Sequence, residues 1–389
     1  MDGPSRVKVN GKAAQRVASG HPWIFESDVT DRGEARGGDT VCVAAPGGRA
    51  LGMALYSAKS KITLRMISSR VEPVDRVFLL RRMQNALDLR RGMVLDCDAY
   101  RVIYGEADLL PGLVVDRYAD CLVLQALNQS IDRLTPLIVD ALTELLSPTA
   151  IIARNDVAVR TQEDLPLESK ILHGVLPNDL TITMNGLQLR ADLLGGQKTG
   201  IYLDQRENYS AASRYAKGRV LDCFTSTGGF ALHMASKCDT VEAIDSSANA
   251  LAVAQANAQR NQLGNIQFLE ANAFDLLAGH AAARRSFDVI VLDPPAFTKS
   301  RSAVEAAMRG YKEINLRALQ LLQPGGVLIS CSCSHHVSEA MMLEAIAGAS
   351  LDTGRQLRVL ERRTQSQDHP ILLTVPETHY LKCIILQVL

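Results

Sequence analysis

The carboxyl-terminal half of the chain alternates short apolar runs with stretches of helical spacing. The apolar runs of this half occupy 220–221, 241–244, 266–269, 289–292 and 327–330. Helical spacing is clearest over 248–261 and 308–322. Strands that alternate with helices predict right-handed crossovers and a doubly wound parallel sheet. We therefore expect an α/β domain over residues 186–389.

The first 70 residues have a different pattern, in which short apolar runs follow one another at intervals of about 8–12 residues. Glycine pairs such as 37–38 and 47–48 separate these runs. The pattern predicts a small β-barrel over residues 1–70. Within it, Trp23 and Phe25 are favoured as core anchors, and the alternative is a platform on which RNA bases stack.

Residues 71–185 mix the two kinds of pattern and predict a middle α+β domain with antiparallel strand pairing. Helical spacing covers 77–91 and 130–146, and the apolar runs lie at 102–104, 113–115, 122–127 and 151–153. The first of these helices is expected to carry a basic face formed by Arg81, Arg82, Arg90 and Arg91. The Asn-Gly turn at 185–186 marks the approach to the next domain.

Length and composition narrow the class of protein. A chain of 389 residues is too long for one core and indicates two or three domains. It lacks an apolar run long enough for a membrane span or a signal peptide, so we expect a cytoplasmic protein without a membrane partner. The eight cysteines lie mostly in apolar runs, which favours reduced thiols over a disulfide framework.

The charge distribution is more informative than the net charge of zero, which excludes a strongly basic field over the whole protein. Residues 1–70 carry 11 Lys and Arg against 6 Asp and Glu. This excess favours a contact with a polyanion in the smallest segment of the chain. An ordinary solvated surface is the alternative interpretation.

Residues 220–230 combine an apolar start, an acidic residue, a small polar turn and a glycine pair at 228–229. This order predicts a strand, a tight turn and a helix, where a ligand reaches bare backbone at the carboxyl end of the strand. The run 241–245 then ends in Asp245, a carboxylate suited to a ribose diol. The glycines do not follow G-x-G-x-x-G, which favours an adenosine cofactor without phosphates, such as S-adenosylmethionine.

A second motif, residues 287–297, carries an apolar strand into Asp293 and two prolines. Each proline disfavours helix in the residue before it, so the path of the loop after the strand is restricted. An aspartate at the carboxyl edge of the sheet can hydrogen-bond a base edge, and base-modifying methyltransferases use Asp-Pro-Pro or Asn-Pro-Pro at this position. A structural turn is the alternative.

A third motif, residues 325–336, ends an apolar strand in Cys331, Cys333, His335 and His336. Three interpretations compete: buried structural thiols, a metal site and a catalytic thiolate. Successive ligands along one strand diverge, and no second motif completes a tetrahedral set, so we expect no metal. The catalytic thiolate is favoured because these cysteines end a strand at the same sheet edge as Asp293.

Methylation of cytosine at C5 needs such a thiol. A thiolate that adds to C6 makes C5 nucleophilic enough to accept a methyl group from a sulfonium. An acid or hydrogen-bond donor at N3 must accept the charge that develops there, and Asp293 is the candidate. An ordinary thiol is mostly protonated at neutral pH, so the pocket is expected to favour the thiolate.

Together the motifs resemble the bacterial 23S rRNA cytosine-C5 methyltransferase family. The resemblance rests on 19–25, 105–108, 195–206, 222–230, 293–297, 309–315, 332–334 and 368–370. It implies a Rossmann-like class I S-adenosylmethionine methyltransferase domain at 186–389. Before it are expected a PUA-like RNA-binding barrel at 1–70 and a middle α+β domain at 71–185.

The resemblance also assigns residues. It places Cys333, rather than Cys331, at the nucleophile, with Asp293 as its catalytic partner. The expected cofactor-binding residues are Asp222, Phe224, Ser226, Gly228, Asp245, Ser246, Asn272 and Asp293. Asn272 stands where the family usually has an aspartate facing adenine. Ala296 stands where two-cysteine enzymes carry a second thiol, so the base that removes the C5 proton is unassigned.

The leading hypothesis is an enzyme that makes 5-methylcytosine in 23S rRNA or a large-subunit precursor. The candidate RNA-binding residues are Lys59, Lys61, Arg65, Arg206 and Lys299. Two alternatives stay open: a nitrogen-directed rRNA methyltransferase on the same scaffold, and a non-catalytic RNA-binding or assembly factor. The modified nucleotide and the formation of a homodimer also stay open.

Overall fold

The computed structural model describes residues 4–196, 199–298 and 300–389, which form two compact units. The first unit falls within Met1–Ile182, Ala191–Ile201 and Gln367–Thr378, and the second within Thr183–Arg190, Tyr202–Ser366 and His379–Leu389. The predicted segments 1–70 and 71–185 therefore share nearly all of one unit. The division into three domains remains our proposal.

The first sheet of the amino-terminal unit is built from short strands around helix α1 (Gly11–Ala18). Its strands are β1 (Arg6–Val9), β2 (Trp23–Phe25), β3 (Val29–Asp31), β4 (Thr40–Ala44), β5 (Ala50–Tyr56) and β6 (Ile62–Ser68). In the described residues they are hydrogen-bonded in the order β2-β6-β5-β4-β1-β3. Alternate residues such as Val41 and Val43 are fully buried and form the core of this sheet.

The short strand β2 corrects the prediction for its two aromatic residues. Ile24 is fully buried, whereas Phe25 is 36% exposed and Trp23 is half-buried. The indole nitrogen of Trp23 donates to a carboxylate oxygen of Glu106 at 2.8 Å. Because side chains alternate along a strand, Ile24 is the core anchor and Phe25 lies on the opposite, exposed face.

The second sheet of this unit packs beside two helices, α2 (Arg76–Arg91) and α3 (Gln129–Leu146). Its strands are β7 (Ala99–Tyr104), β8 (Leu113–Tyr118), β9 (Cys121–Ala126), β10 (Ala150–Arg154) and β11 (Ser169–Gly174). They follow the order β11-β10-β9-β8-β7, in which only β9 and β10 pair in parallel among the described strands. Asp75 caps α2 by accepting the N–H of Phe78.

Arg90 does not belong to the basic face that the helical spacing of α2 predicts. Its side chain is 1% exposed and makes two hydrogen bonds with the carboxylate of Asp108, at 2.5 and 2.7 Å. The same guanidinium donates to the backbone oxygen of Asp368 at 2.8 Å. Burial of this charge is offset by paired hydrogen bonds with defined geometry.

The segment Gln367–Thr378 belongs to the amino-terminal unit although it lies near the end of the chain. The carboxylate of Asp368 accepts the backbone N–H of Arg101 at 2.7 Å, and the side chain of Arg101 pairs with Asp116. Tyr104 donates to the backbone oxygen of Thr378 at 3.3 Å. The Asp-His-Pro motif therefore fastens this segment to β7.

The second unit contains a mixed sheet. A hairpin of β12 (Thr181–Met184) and β13 (Leu187–Arg190) precedes it. The strands of the sheet are β14 (Arg219–Cys223), β15 (Thr240–Asp245), β16 (Ile266–Glu270), β17 (Phe287–Leu292), β18 (Leu322–Ser332), β19 (Leu357–Arg363) and β20 (Lys382–Val388). The helices of the unit are α4 (Arg206–Ser213), α5 (Gly229–Ala235), α6 (Ala248–Arg260), α7 (Ala273–Ala282), α8 (Val304–Leu321) and α9 (Glu339–Thr353).

Hydrogen bonds arrange this sheet in the order β16-β15-β14-β17-β18-β20-β19. The first five strands are parallel, whereas β20 runs antiparallel to both β18 and β19. The doubly wound part matches the predicted strands, and the antiparallel pair is an addition to them. The chain order reverses between β14 and β17, the place where open α/β sheets bind ligands.

The core of the second unit lies on the faces of this sheet. Leu221, Ile290 and Leu328 lie on three adjacent strands and are fully buried, together with residues of α8 and α9.

No helix within the described ranges is long and apolar enough to cross a membrane.

Candidate cofactor and catalytic site

Asp222, near the end of β14, holds the loop that follows this strand. Its Oδ2 accepts the hydroxyl of Thr225 at 2.6 Å and the N–H of Ala231 at 2.9 Å. The side chain is fully buried, and burial raises the pKa of Asp222 to about 7 against the effect of these bonds. Asp222 therefore fixes the conformation of the loop from the buried side, through its hydrogen bonds to Thr225 and Ala231.

The loop itself turns sharply at three residues with left-handed backbone: Phe224, Ser226 and Gly228, with φ of 65°, 49° and 91°. The next residue, Gly229, begins α5, and a Cβ there would lie 2.3 Å from the ring of Tyr209. This position accepts only glycine without displacing the aromatic ring. Bare backbone is therefore presented at the carboxyl end of β14, as predicted.

Asp245 closes the loop from the neighbouring strand. One oxygen of its carboxylate accepts the N–H of Ser226 at 2.8 Å, and the other accepts the N–H of Ser247 at 2.9 Å. A carboxylate has about four acceptor positions, so both oxygens retain capacity for hydroxyl donors. Ser246, which lies between Asp245 and Ser247 in the chain, is exposed. This arrangement fits a ribose diol.

Asn272 begins helix α7 as its N-cap. Its side-chain oxygen accepts the backbone N–H of Phe274 at 2.9 Å and that of Asp275 at 3.4 Å. The side-chain oxygen, which is the atom of Asn272 able to accept from an adenine amine, is thus engaged by the helix. The side-chain NH₂ of this exposed residue is the part that points away from the cap.

Asp293 follows β17 and is held by Gln205. The side-chain nitrogen of Gln205 donates to Oδ2 of Asp293 at 3.0 Å, and Asn208 donates to the side-chain oxygen of Gln205 at 2.6 Å. Gln205 and Asn208 are buried, whereas Asp293 is half-buried. The carboxylate is therefore fixed in direction while part of it stays accessible.

Cys333 comes directly after β18 and is half-buried. The serines on both sides of it, Ser332 and Ser334, are each 2.9 Å from the phenolic oxygen of Tyr311. All three of these hydroxyl groups belong to buried side chains. Tyr311 on α8 therefore holds the backbone on both sides of the candidate nucleophile.

Cys331 has a different environment from Cys333. It is fully buried and lies opposite Cys383 in the antiparallel register of β18 and β20. Burial raises the pKa of the Cys331 thiol well above its usual value, and the interaction with Cys383 raises it further. Of these two thiols, Cys333 is therefore the more accessible one.

Tyr202 interacts electrostatically with several of these groups. Burial raises the pKa of its phenol, and the charges of Asp293, Asp204, Cys333 and Asp245 raise it further. Cys333, Asp293 and Asp245, which follow or end three different strands, thus all act on one half-buried side chain. In the described residues, no group of three His, Cys, Asp or Glu side chains could hold a metal ion.

The predicted RNA-binding residues do not form one set. Lys59 and Lys61 are exposed, between β5 and β6. Arg65 is 7% exposed, and its guanidinium pairs with the carboxylate of Glu163 at 2.9 Å. Because this side chain is buried and paired, its predicted contact with RNA is wrong. Arg206 is likewise buried, at 3% exposure, and pairs with Glu207. Lys299 lies outside the described residues.

Sequence analysis missed four side chains of this site: Tyr202, Gln205, Tyr311 and Lys382. The first three lie within motifs that carry the resemblance, at 195–206 and 309–315, so their positions were marked but not their roles. Lys382 had a weaker signal, a single charge at the start of the apolar run 383–386. A lone cation of this kind usually marks the solvated end of a strand.

A doubly wound sheet with a bare-backbone loop after its first strand and a carboxylate at the end of its second is a Rossmann-like arrangement for an adenosine cofactor. Residues 124–378 match the family described as S-adenosylmethionine-dependent methyltransferase, and residues 7–69 match the PUA-like domain family. Both the predicted fold class and the predicted cofactor are thereby confirmed.

Two relatives illustrate the likeness over nearly the whole chain. Ribosomal RNA large subunit methyltransferase I of Shewanella denitrificans is 38% identical, over 98% of this chain and 99% of the relative. The protein of the same name from Klebsiella pneumoniae is 41% identical, over 93% of each. The chain belongs to this family of S-adenosylmethionine-dependent methyltransferases with an amino-terminal PUA-like domain.

Solved structures share the fold. A solved structure described as a SAM-dependent methyltransferase from Streptococcus mutans superposes on this chain with a TM-score of 0.83. The two are 20% identical in sequence, and the match covers 99% of this chain and 100% of that chain. A structure named SMU.776, solved with SAH, has a TM-score of 0.85 at 19% identity and the same coverage.

Proposed function

We propose that the protein forms 5-methylcytosine in 23S rRNA through covalent addition of Cys333 to cytosine C6. The observation that carries the proposal is the position of Cys333 relative to Asp293. Leu292 pairs with Ser330 in the parallel register of β17 and β18. Asp293 and Cys333 therefore follow the ends of adjacent strands at the same edge of the sheet. A pyrimidine placed there would meet a thiol and a carboxylate together.

The proposed reaction uses these side chains in order. The thiolate of Cys333 forms a bond to C6, and the electron density that moves to C5 makes that carbon a nucleophile. Asp293, held by Gln205, acts in its protonated form as the acid that donates to N3 as negative charge develops there, and it takes the proton back when the product forms. Bound S-adenosylmethionine would supply the electrophilic methyl group to C5, with S-adenosylhomocysteine as the leaving group. Loss of the C5 proton to a general base then breaks the bond between sulfur and C6 and returns the thiolate.

The substrate class is supported by the relatives and by the amino-terminal unit. The relatives are named for the large-subunit ribosomal RNA. PUA-like residues 7–69 include the exposed Lys59 and Lys61, which we propose as contacts with RNA phosphates. Large-subunit RNA, free or in a precursor particle, is therefore the proposed partner, in the cytoplasm.

The proposal is tested with the full-length enzyme, labelled S-adenosylmethionine and 23S rRNA that lacks the modification. Cys333→Ala and Cys333→Ser are expected to lose methylation by at least about a thousandfold, as for other nucleophile deletions. Cys331→Ser is the matched control, since it removes a neighbouring thiol that the reaction does not use. Methylation by Cys333→Ala at the normal rate would refute the mechanism.

Product analysis separates the alternatives. Digestion of the RNA and mass spectrometry should place the label on C5 of cytosine, and a 5-fluorocytosine oligonucleotide should trap a covalent adduct on the peptide that contains Cys333. Label on N4 of cytosine or on a purine would instead support a nitrogen-directed enzyme. Binding of cofactor and RNA without turnover would support a non-catalytic factor.

A further inference from the structure

Lys382 is a buried cation beside the catalytic loop. It is the first residue of β20, and the whole residue is 3% exposed. Its Nζ donates to the backbone oxygen of Ser334 at 2.7 Å and to that of Tyr380 at 2.8 Å. An ammonium group has three donors, and these two carbonyls fix the direction of the third.

These contacts place the ammonium next to Cys333. Ser334 follows Cys333 in the chain, and Ser332, which precedes it, pairs with Lys382 in the register of β18 and β20. The lysine is thus anchored on one side of the cysteine by backbone pairing and on the other by a hydrogen bond. An electrostatic interaction between Lys382 and Cys333 follows from this placement.

Other titratable groups also face the cysteine. Tyr202 precedes α4, and Tyr311 lies on α8; both have electrostatic interactions with Cys333. Asp293 lies after β17, and His335 and His336 follow the cysteine in the chain. Both phenols have a raised pKa and stay neutral at physiological pH. Burial lowers the pKa of Lys382 to about 8, which still leaves most of it charged at pH 7.

We propose that Lys382 is a positioning residue that holds Cys333 in its thiolate form. This inference rests on the proposed function, in which that thiolate is the nucleophile. The thiol proton leaves to solvent, and the lysine keeps its own proton, so an ion pair results. The same ammonium favours the end of the reaction, when negative charge returns to sulfur as its bond to C6 breaks.

The test measures alkylation of Cys333 by iodoacetamide in the full-length enzyme without RNA, from pH 6 to 10. The mass of the peptide that contains Cys333 separates this thiol from six of the other cysteines, and fragmentation of that peptide separates it from Cys331, which lies on the same peptide. In the wild type, the midpoint of the rate against pH is expected below that of an ordinary thiol, about 8.5. Lys382→Met should raise the midpoint by about one unit or more and slow alkylation at pH 7 about tenfold.

Two variants control for loss of structure. Lys382→Arg keeps the positive charge, so the midpoint of its alkylation rate against pH should stay close to that of the wild type. Lys217→Met removes another lysine that donates to a backbone oxygen, that of Gly325 near the start of β18, and should leave the midpoint unchanged. If Lys382→Met does not fold, the wild-type profile and Lys382→Arg still decide the question.

Three results would overturn the inference: an ordinary or higher midpoint in the wild type, the same midpoint in Lys382→Met, or an equal loss of rate at every pH. Failure here is distinct from failure of the proposed function. An inactive Cys333→Ala enzyme with an unchanged Lys382→Met profile rejects only the role of the lysine. A fully active Cys333→Ala enzyme rejects the proposed function itself.

Discussion

The phenolic oxygen of Tyr311 lies 2.9 Å from the hydroxyl oxygen of Ser334, directly after the candidate nucleophile. The same phenol contacts Ser332 on the other side of Cys333. Tyr311→Phe removes both bonds and keeps the packed ring. We expect kcat for methylation to fall about tenfold, which corresponds to about 1.4 kcal/mol, with KM for RNA nearly unchanged.

Steady-state kinetics on 23S rRNA measures this effect. Tyr215→Phe is the control, since it removes a phenol that donates to Glu361 at 2.5 Å elsewhere in the same unit. Unchanged kcat in Tyr311→Phe would show that packing alone positions the loop.

Gly229→Ala should damage the cofactor loop. The added Cβ would lie 2.3 Å from the ring of Tyr209, so either the ring or the start of α5 must move. We expect a loss of about 1–3 kcal/mol in the free energy of unfolding and weaker binding of S-adenosylmethionine. Urea denaturation and calorimetric titration measure the two effects.

Gly279→Ala is the matched control for this change. It lies in α7, where a Cβ would meet nothing within 4 Å, and alanine there should be neutral or slightly stabilising. Equal behaviour of the two variants would contradict the close approach of Tyr209.

His233 should make stability depend on pH below neutrality. Burial lowers the pKa of His233 to about 4, against an ordinary value of 6.5. Between these values the unfolded chain binds a proton at this histidine that the folded chain does not, so the contribution of His233 to stability falls as pH drops from about 6.5 to 4. The full effect is on the order of 3 kcal/mol.

Denaturant unfolding at a series of pH values checks this prediction. The difference in unfolding free energy between His233→Gln and the wild type should change by this amount across the window, and the difference between His173→Gln, which changes an exposed histidine, and the wild type should stay constant. Asp222 contributes with the opposite sign because its pKa is raised to about 7, but this contribution is common to all three proteins. Parallel curves for wild type and His233→Gln would refute the prediction.

The double variant Lys59→Ala, Lys61→Ala should weaken RNA binding and reduce its salt dependence. Each lost phosphate contact lowers the slope of log affinity against log salt by about 0.7–0.9. We therefore expect the slope to become shallower by about 1.5, measured by filter binding between low and moderate salt. Lys170→Ala, Lys237→Ala removes two other exposed lysines and should change the slope less. Equal slopes for the wild type and Lys59→Ala, Lys61→Ala would remove these contacts from the proposal.

The strand ends that carry the site could be predicted from the sequence. The apolar run 289–292 lies within β17 (Phe287–Leu292), and Asp293 follows the strand as expected. The pair β19 and β20 was not predicted. The strand β19 (Leu357–Arg363) carries four charged residues, and only its pairing with the apolar β20 makes it a strand.

Local patterns determined the order of the elements, the loops at the carboxyl ends of β14 and β17, and the type of cofactor, because spacing and turn chemistry act over a few neighbouring residues. The tertiary structure alone decided which charges are buried. Arg65 lies beside Glu163, and Lys382 beside Ser334, across separations that no local pattern encodes. A cation in a sequence is assigned to the surface by default, and only its distant partners show where burial is offset by hydrogen bonds.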